Sequence, residues 1–218
     1  MDKSSRSQGS ASSIEEDLHL QSKMRTIHTV DAARAGTTML ALLMGLSALA
    51  VSGNTLRVYN ETHVPREYLL PLWPDDFNIR PTVALVIGSA IVLVSNMVAL
   101  SCSQVRSLRT NTFLHTSTVL ASPLVGLAAA LVAVAFYYAV NASDSADTIV
   151  SWTCRWNDIP MSRQPHWRSL CRQSRAGLYL AVVLIPVEAV ALGLAAVLLK
   201  TERYTERYLG ARKTPVLG

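Results

Sequence analysis

Hydrophobic runs almost free of charge alternate with polar segments along this chain, and the runs share one length. They cover about 33–52, 81–101, 117–140 and 176–199. An α-helix rises about 1.5 Å per residue, so about 20 apolar residues cross the roughly 30 Å hydrocarbon layer of a bilayer. A helix on the surface of a water-soluble domain would carry a charged face, and these runs carry none. The pattern predicts an all-α membrane protein, a four-helix transmembrane bundle within residues 32–200. Asn78 and Pro81 suit the start of the second helix, because proline in the first turn loses no needed hydrogen bond. Residues 1–31 read as a disordered tail, with a short helix from Ile14 to about Val30 as the alternative, and 201–218 read as a basic C-terminal tail. The long loops, 53–80 and 141–175, fall at one end of such a bundle. The first apolar run begins too far into the chain for a signal peptide.

Composition narrows the function classes. Half of the residues are hydrophobic and 16% are charged. Once the spans are assigned, too little chain remains for a large soluble catalytic domain. The net charge is +5. In a water-soluble chain that balance would favour nucleic acid. Here the basic residues flank spans, where they set topology and meet anionic headgroups, and no aromatic-basic binding pattern accompanies them. The expected partners are the bilayer, anionic inner-leaflet lipids and other membrane proteins or a second copy, with no nucleic acid.

Three signals orient the chain. Lys3, Lys23, Lys200 and Lys213 lie in the tails and, with Arg6, Arg25, Arg34, Arg106, Arg109, Arg203, Arg207 and Arg212, put 12 of the 20 basic residues on one side. The sequons Asn60-Glu61-Thr62 and Asn141-Ala142-Ser143 fall on the other side, making Asn60 and Asn141 glycosylation candidates. Cys154 and Cys171 share the last long loop, as a disulfide in an oxidising compartment would. Together these predict cytosolic termini in the plasma membrane or a secretory-pathway membrane. Closing that loop stabilises by roughly 3 kcal/mol in the chain-entropy view. Cys102, at the opposite end of the second run, is a juxtamembrane palmitoylation candidate; a buried small hydrophobe is the plainer reading. Redox catalysis would need a CxxC pair, and the chain has none.

Within the runs, Glu188 is the only acidic residue, two positions after Pro186; the polar groups that could join it are Asn96 and Ser89 in the second run and Ser122 beside Pro123 in the third. A carboxyl group in hydrocarbon is costly and turns to the bundle interior, where it can hydrogen-bond across helices or line an ion path. Small residues at four-residue spacing mark expected helix contacts: Ala41 and Gly45, Ala84 and Gly88, Ser122, Gly126 and Ala130, Ala189 and Gly193. Phe136, Tyr137 and Tyr138 fit an aromatic belt. Tyr68 to Pro74 form an apolar, proline-broken patch that either lies on the membrane surface or packs over the helix ends.

The segments Leu70-Pro71-Leu72-Trp73-Pro74 to Asn78-Ile79-Arg80-Pro81, and Ser151-Trp152-Thr153-Cys154-Arg155-Trp156, resemble four-span proteins of filamentous fungi. The layout of four spans, cytosolic tails and a cysteine pair in the last outer loop resembles MARVEL-like proteins. Claudin-like proteins place their cysteine pair in the first outer loop, and tetraspanins carry a CCG motif that this chain lacks. The resemblance implies membrane organisation, vesicle traffic or junction-type assembly. No nucleotide-binding, hydrolase or metalloprotease motif is present, and His19, His28, His63, His115 and His166 are scattered, so no metal or cofactor is expected. The leading expectation is a non-enzymatic tetraspan that organises membrane or partner proteins. Arg203, Arg207, Arg212 and Lys213 would serve as its lipid contacts. The alternatives are a small transporter, channel or accessory subunit using Glu188 and Asn96, and a membrane-embedded enzyme built from dispersed residues.

Overall fold

The computed structural model describes residues 4–63, 72–74, 76–104, 112–143 and 146–213. In order, the elements are α1 (Ser4–Thr62), β1 (Phe77–Asn78), α2 (Arg80–Gln104), α3 (Thr112–Ala142), β2 (Asp147–Thr148), α4 (Ile149–Arg155) and α5 (Trp167–Lys213). Four of the helices are long and apolar enough to cross a membrane, over Met24–Thr62, Arg80–Gln104, Ser117–Ala142 and Trp167–Thr201. Each contains one of the hydrophobic runs.

The helices overshoot the runs. α1 is helical from Ser4, where the sequence predicts a disordered tail, and α5 continues to Lys213 through the predicted C-terminal tail. The first proline of the chain is Pro65, and none stands between Pro186 and Pro215. A helix nucleated in either terminal span therefore meets no proline on its tail side, and propagation adds one hydrogen bond per residue fixed. The long loops shrink correspondingly, because α1 reaches Thr62 and α5 starts at Trp167. The start of α2 follows the sequence reading: Asn78 Oδ1 accepts from the Arg80 amide at 3.0 Å, one of the N-terminal amides that lack a helical partner.

Two compact units are present, Thr37–Leu192 and a second that joins Met1–Gly36 to Gly193–Gly218. In the second, Arg34 Nη2 donates to Asp31 Oδ1 at 3.1 Å, and Ala195, Leu198 and Leu199 are buried.

Within Thr37–Leu192 large apolar side chains cover the outside while several polar ones lie inside. Leu43, Ile87, Val94, Leu124, Val132 and Val183 are exposed, Val132 by 69%, whereas Ser52, Thr55, Ser89, Asn96, Ser122 and Glu188 are buried. Exposed apolar surface on this scale marks contact with something other than water, and buried polar groups are what a hydrocarbon solvent enforces. The four spans make this a multi-pass membrane protein by composition and by burial together.

Close approach at glycines gives the bundle its cyclic order. A β-carbon on Gly45 of α1 would lie 3.3 Å from Val92 Cγ1 on α2. One on Gly88 of α2 would lie 2.6 Å from Ala133 Cβ on α3, one on Gly126 of α3 would lie 2.8 Å from the Glu188 carboxyl carbon on α5, and one on Gly177 of α5 would lie 2.7 Å from Ser52 Oγ on α1. Each neighbouring pair in the order α1, α2, α3, α5 thus meets at one glycine, and the cycle closes. In lipid, packing of this kind rather than hydrophobicity drives helix association. Gly45, Gly88 and Gly126 follow from the four-residue spacings. In α5 that spacing points to Ala189 and Gly193, both exposed; the contact is made by Gly177. Between the glycines, Ala41, Val92, Ala130 and Leu184 fill one apolar layer, and Leu85, Ala133, Val134, Tyr137 and Ala181 fill the next. Tyr137 is therefore a core residue, not part of an aromatic belt, while Phe136 and Tyr138 beside it are exposed.

Candidate functional site

Two features stand apart from the apolar packing: a polar node inside the bundle and an ordered cap over one end.

The node centres on Glu188, which is fully buried. The Asn96 amide donates to Glu188 Oε1 at 2.7 Å and to the Val92 carbonyl of its own helix at 3.0 Å. One helical turn along α3 from Gly126, Ser122 Oγ donates to the Ser95 carbonyl at 2.6 Å. Helices α2, α3 and α5 therefore meet in one layer, tied by a carboxyl–amide bond, a hydroxyl–carbonyl bond and the seat that Gly126 provides for the carboxyl group. Glu188 Oε2 is buried with no hydrogen-bond partner. Such a group is costly in hydrocarbon unless its partners are internal. The carboxyl group thus turns toward the helices that can satisfy it, as the sequence reading expects. Glu188 and Asn96 lie 92 residues apart, beyond any local spacing rule. The role of Gly126 as the seat of the carboxyl group has no sequence signal beyond its small size.

Replacing Asn96 with leucine removes the donor to Glu188 Oε1 and is expected to destabilise the bundle by about 1–2 kcal/mol, the upper range for interhelical hydrogen bonds in membranes. Replacing both Asn96 and Glu188 with leucine should cost less than the sum of the two single changes. Unfolding in mixed micelles measures both, and strict additivity would show that the pair carries no coupling.

The cap draws together the loops between α1 and α2 and between α3 and α5. β1 pairs with β2 in parallel, Phe77 opposite Asp147 and Asn78 opposite Thr148. Beneath them Val58, Tyr59, Trp73, Ile149, Trp167 and Leu170 form a buried cluster. Tyr59 stacks on Phe77 at 5.1 Å, and Trp73 meets Tyr59 edge-on at 5.0 Å and Trp167 at 5.2 Å. Trp73 Nε1 donates to Thr62 Oγ1 at 3.1 Å, so the indole is satisfied as well as buried. Of the predicted apolar patch, residues 72–74 are described, and Trp73 packs over the helix ends instead of lying on the membrane surface. Helix α4 is begun by a capping box between Thr148 and Ser151. Asp147 accepts from Ser151 Oγ at 3.1 Å and pairs with Arg155 at 3.3 Å. Cys154 and Cys171 form a disulfide with their α-carbons 4.9 Å apart, fastening α4 to the first turns of α5. Replacing both with serine should lower stability by about 3 kcal/mol, read as a fall in thermal midpoint that added reductant does not deepen.

The glycosylation candidates differ in environment. Asn60 is exposed near the end of α1. Asn141 is half-buried: its Nδ2 donates to the Tyr137 carbonyl at 2.9 Å and its Oδ1 accepts from Thr148 Oγ1 at 2.8 Å, which joins the end of α3 to the start of α4. Cys102 is a half-buried free thiol in the last turn of α2. Arg203 is exposed, and the side chains of Arg207, Arg212 and Lys213 lie outside the described residues, as do Arg106 and Arg109. Among the described residues no three His, Cys, Asp or Glu side chains converge as a metal site. No family model, curated protein or solved structure matches this chain, so both features rest on their own geometry.

Proposed function

We propose that this protein is a non-enzymatic four-span scaffold that organises its membrane or partner proteins, with the cap as its contact surface. The observation that carries the reading is the contrast between the inside and the outside of the cap. An aromatic cluster, a strand pairing and a disulfide hold the two loops in one arrangement, yet Trp156 and Ile159 remain exposed on it by 38% and 45%. A rigid surface with exposed aromatic and aliphatic anchors is what recognition uses. The proposed orientation puts both termini in the cytosol and the cap outside, supported by the 12 basic residues on the tail side, by the sequons and by the disulfide. The plasma membrane or a secretory-pathway membrane fits that redox setting. The MARVEL-like layout and its implied role in membrane organisation belong to this reading, as do the contacts of Arg203, Arg207, Arg212 and Lys213 with anionic inner-leaflet lipid. Proximity labelling from the C-terminus tests it. Changing Trp156 and Ile159 to serine should deplete a defined set of neighbours at unchanged abundance, and an unchanged set would refute the cap as a contact surface.

A second reading has one observation in its favour, the unpartnered oxygen of Glu188 in the bundle core. A transporter, channel or accessory subunit would use Glu188 and Asn96 as a polar step across the membrane. Purified protein in proteoliposomes should then support a proton or cation flux that Glu188→Gln abolishes; equal flux from wild type and variant removes this reading.

A further inference from the structure

The exposed side of α5 changes character along a single line. Residues 168, 172, 175, 179, 183, 186 and 190 follow one another by three or four positions, the spacing that keeps side chains on one helix face. All seven are exposed. From the interior outward they read Val190, Pro186, Val183, Tyr179, Arg175, Arg172, Arg168. Val183 and Val190 are 50% and 54% exposed, and Tyr179 is 62% exposed. In a chain that spans a bilayer this is the lipid-facing line: aliphatic in the hydrocarbon, aromatic at the boundary, and cationic at the headgroups. The three arginines continue the exposed line past Tyr179, on the face of α5 opposite the buried Trp167, Leu170, Cys171 and Ser174. Among the described residues their carboxylate competition is slight. Asp158 approaches Arg168 only to 3.9 Å, with both side chains largely exposed, whereas Arg155, on the cap itself, is already engaged by Asp147 at 3.3 Å.

Guanidinium groups offer paired N–H donors that match phosphate oxygens, and arginine keeps its charge at a lipid boundary. We propose that Arg168, Arg172 and Arg175 form a binding site for the headgroup phosphate of an anionic phospholipid in the leaflet at the cap end, with Tyr179 seated against the glycerol and upper acyl region of the same lipid. The occupant follows from two things: charge complementarity, and direct continuity with the apolar line that already faces lipid. This site is separate in sequence from the basic C-terminal tail, which follows the last apolar run. It anchors the cap by its α5 side and draws anionic lipid to the face next to the disulfide.

The inference rests on the reading of the chain as membrane-spanning, so the test begins with full-length protein that resists extraction from membranes at alkaline pH. Wild type and an R168Q/R172Q/R175Q variant are purified in a neutral detergent. Thermal stability and retained lipid are then measured with added phosphatidylglycerol, phosphatidylcholine or inorganic phosphate. Phosphatidylglycerol should bind wild type in preference to phosphatidylcholine, and the triple variant should lose about 100-fold of that preference, near five-fold per arginine. R155Q should leave the preference unchanged. An equal preference in the triple variant and wild type overturns the site. Stabilisation by inorganic phosphate matching that by phosphatidylglycerol overturns a lipid as the occupant. Loss of the preference on neutralising Arg203, Arg207, Arg212 and Lys213, with the triple variant behaving as wild type, assigns it to the tail and overturns the site as well. Extraction of wild type by alkali would instead overturn the membrane-spanning reading itself.

Discussion

Replacing Gly126 with valine is expected to prevent α3 and α5 from packing. A single β-carbon there would already lie 2.8 Å from the Glu188 carboxyl carbon, and valine adds two more carbons in a region the carboxyl group fills. Overpacking in a close-packed interior costs about 1–3 kcal/mol, and valine here should reach or exceed the upper end. Alanine should fall within that range. The cause is one specific neighbour, so shortening that neighbour should relieve it. Gly126→Val combined with Glu188→Ala is expected to recover most of the lost stability, although Glu188→Ala alone removes the bond to Asn96. Gly53→Ala is the control, because a β-carbon on Gly53 meets nothing within 4 Å. It should be neutral or stabilising by up to about 1 kcal/mol, the helix-propensity difference. A combined variant no more stable than Gly126→Val alone would show that the seat at Gly126 is not what the valine disrupts.

The second large effect lies in the cap. Trp73 is 3% exposed and touches Tyr59, Phe77 and Trp167. Truncating a buried indole to alanine costs about 3–5 kcal/mol, from lost transfer free energy and the cavity left behind. The change also leaves Thr62 Oγ1 without the indole donor. The cap and the bundle draw on different residues, so loss of the cap should leave the spans helical. Trp73→Ala is therefore expected to expose the loops to protease from the cap side while the helical circular dichroism of the reconstituted protein stays near wild type. Trp156→Ala removes an exposed ring and should shift stability by under about 1 kcal/mol. Resistance of Trp73→Ala to protease would mean that the aromatic cluster does not hold the loops.

What the sequence made legible follows the range of each physical signal. The spans are visible because the hydrocarbon thickness imposes a length that composition alone reveals. The beginning of α2 is visible because Asn78 and Pro81 act within one turn. Cys154 and Cys171 are identifiable as partners because few cysteines compete. Pairings across the bundle are not visible in this way. Glu188 announces itself as a carboxyl group in an apolar run, but the residue that meets it depends on how far α2 slides past α5, which is settled by Gly45, Gly88, Gly126 and Gly177 together. Gly177 escaped the spacing rule because α5 approaches Ser52 near its cap end, away from the Ala189–Gly193 pair. Tyr137 was misplaced for a related reason. A membrane-boundary tyrosine and a core tyrosine look alike in sequence, and its inward turn follows from the neighbours Leu85 and Ala181. The start of α1 was underestimated because polar composition was read as disorder where no proline intervened, and the last span was ended with its apolar run although α5 continues to Lys213.

The central claim is four spans whose two cap loops share one side of the membrane, and cysteine accessibility in sealed vesicles tests it most directly. In a Cys102→Ser background with the native disulfide kept, single cysteines replace His63 in the first cap loop, Ser162 in the second, Gln104 at the other end of α2 and Arg203 beyond the last span. With an impermeant maleimide, positions 63 and 162 are predicted to label from one side of the membrane, and positions 104 and 203 from the other. Labelling of positions 63 and 162 from opposite sides would contradict the four-span bundle.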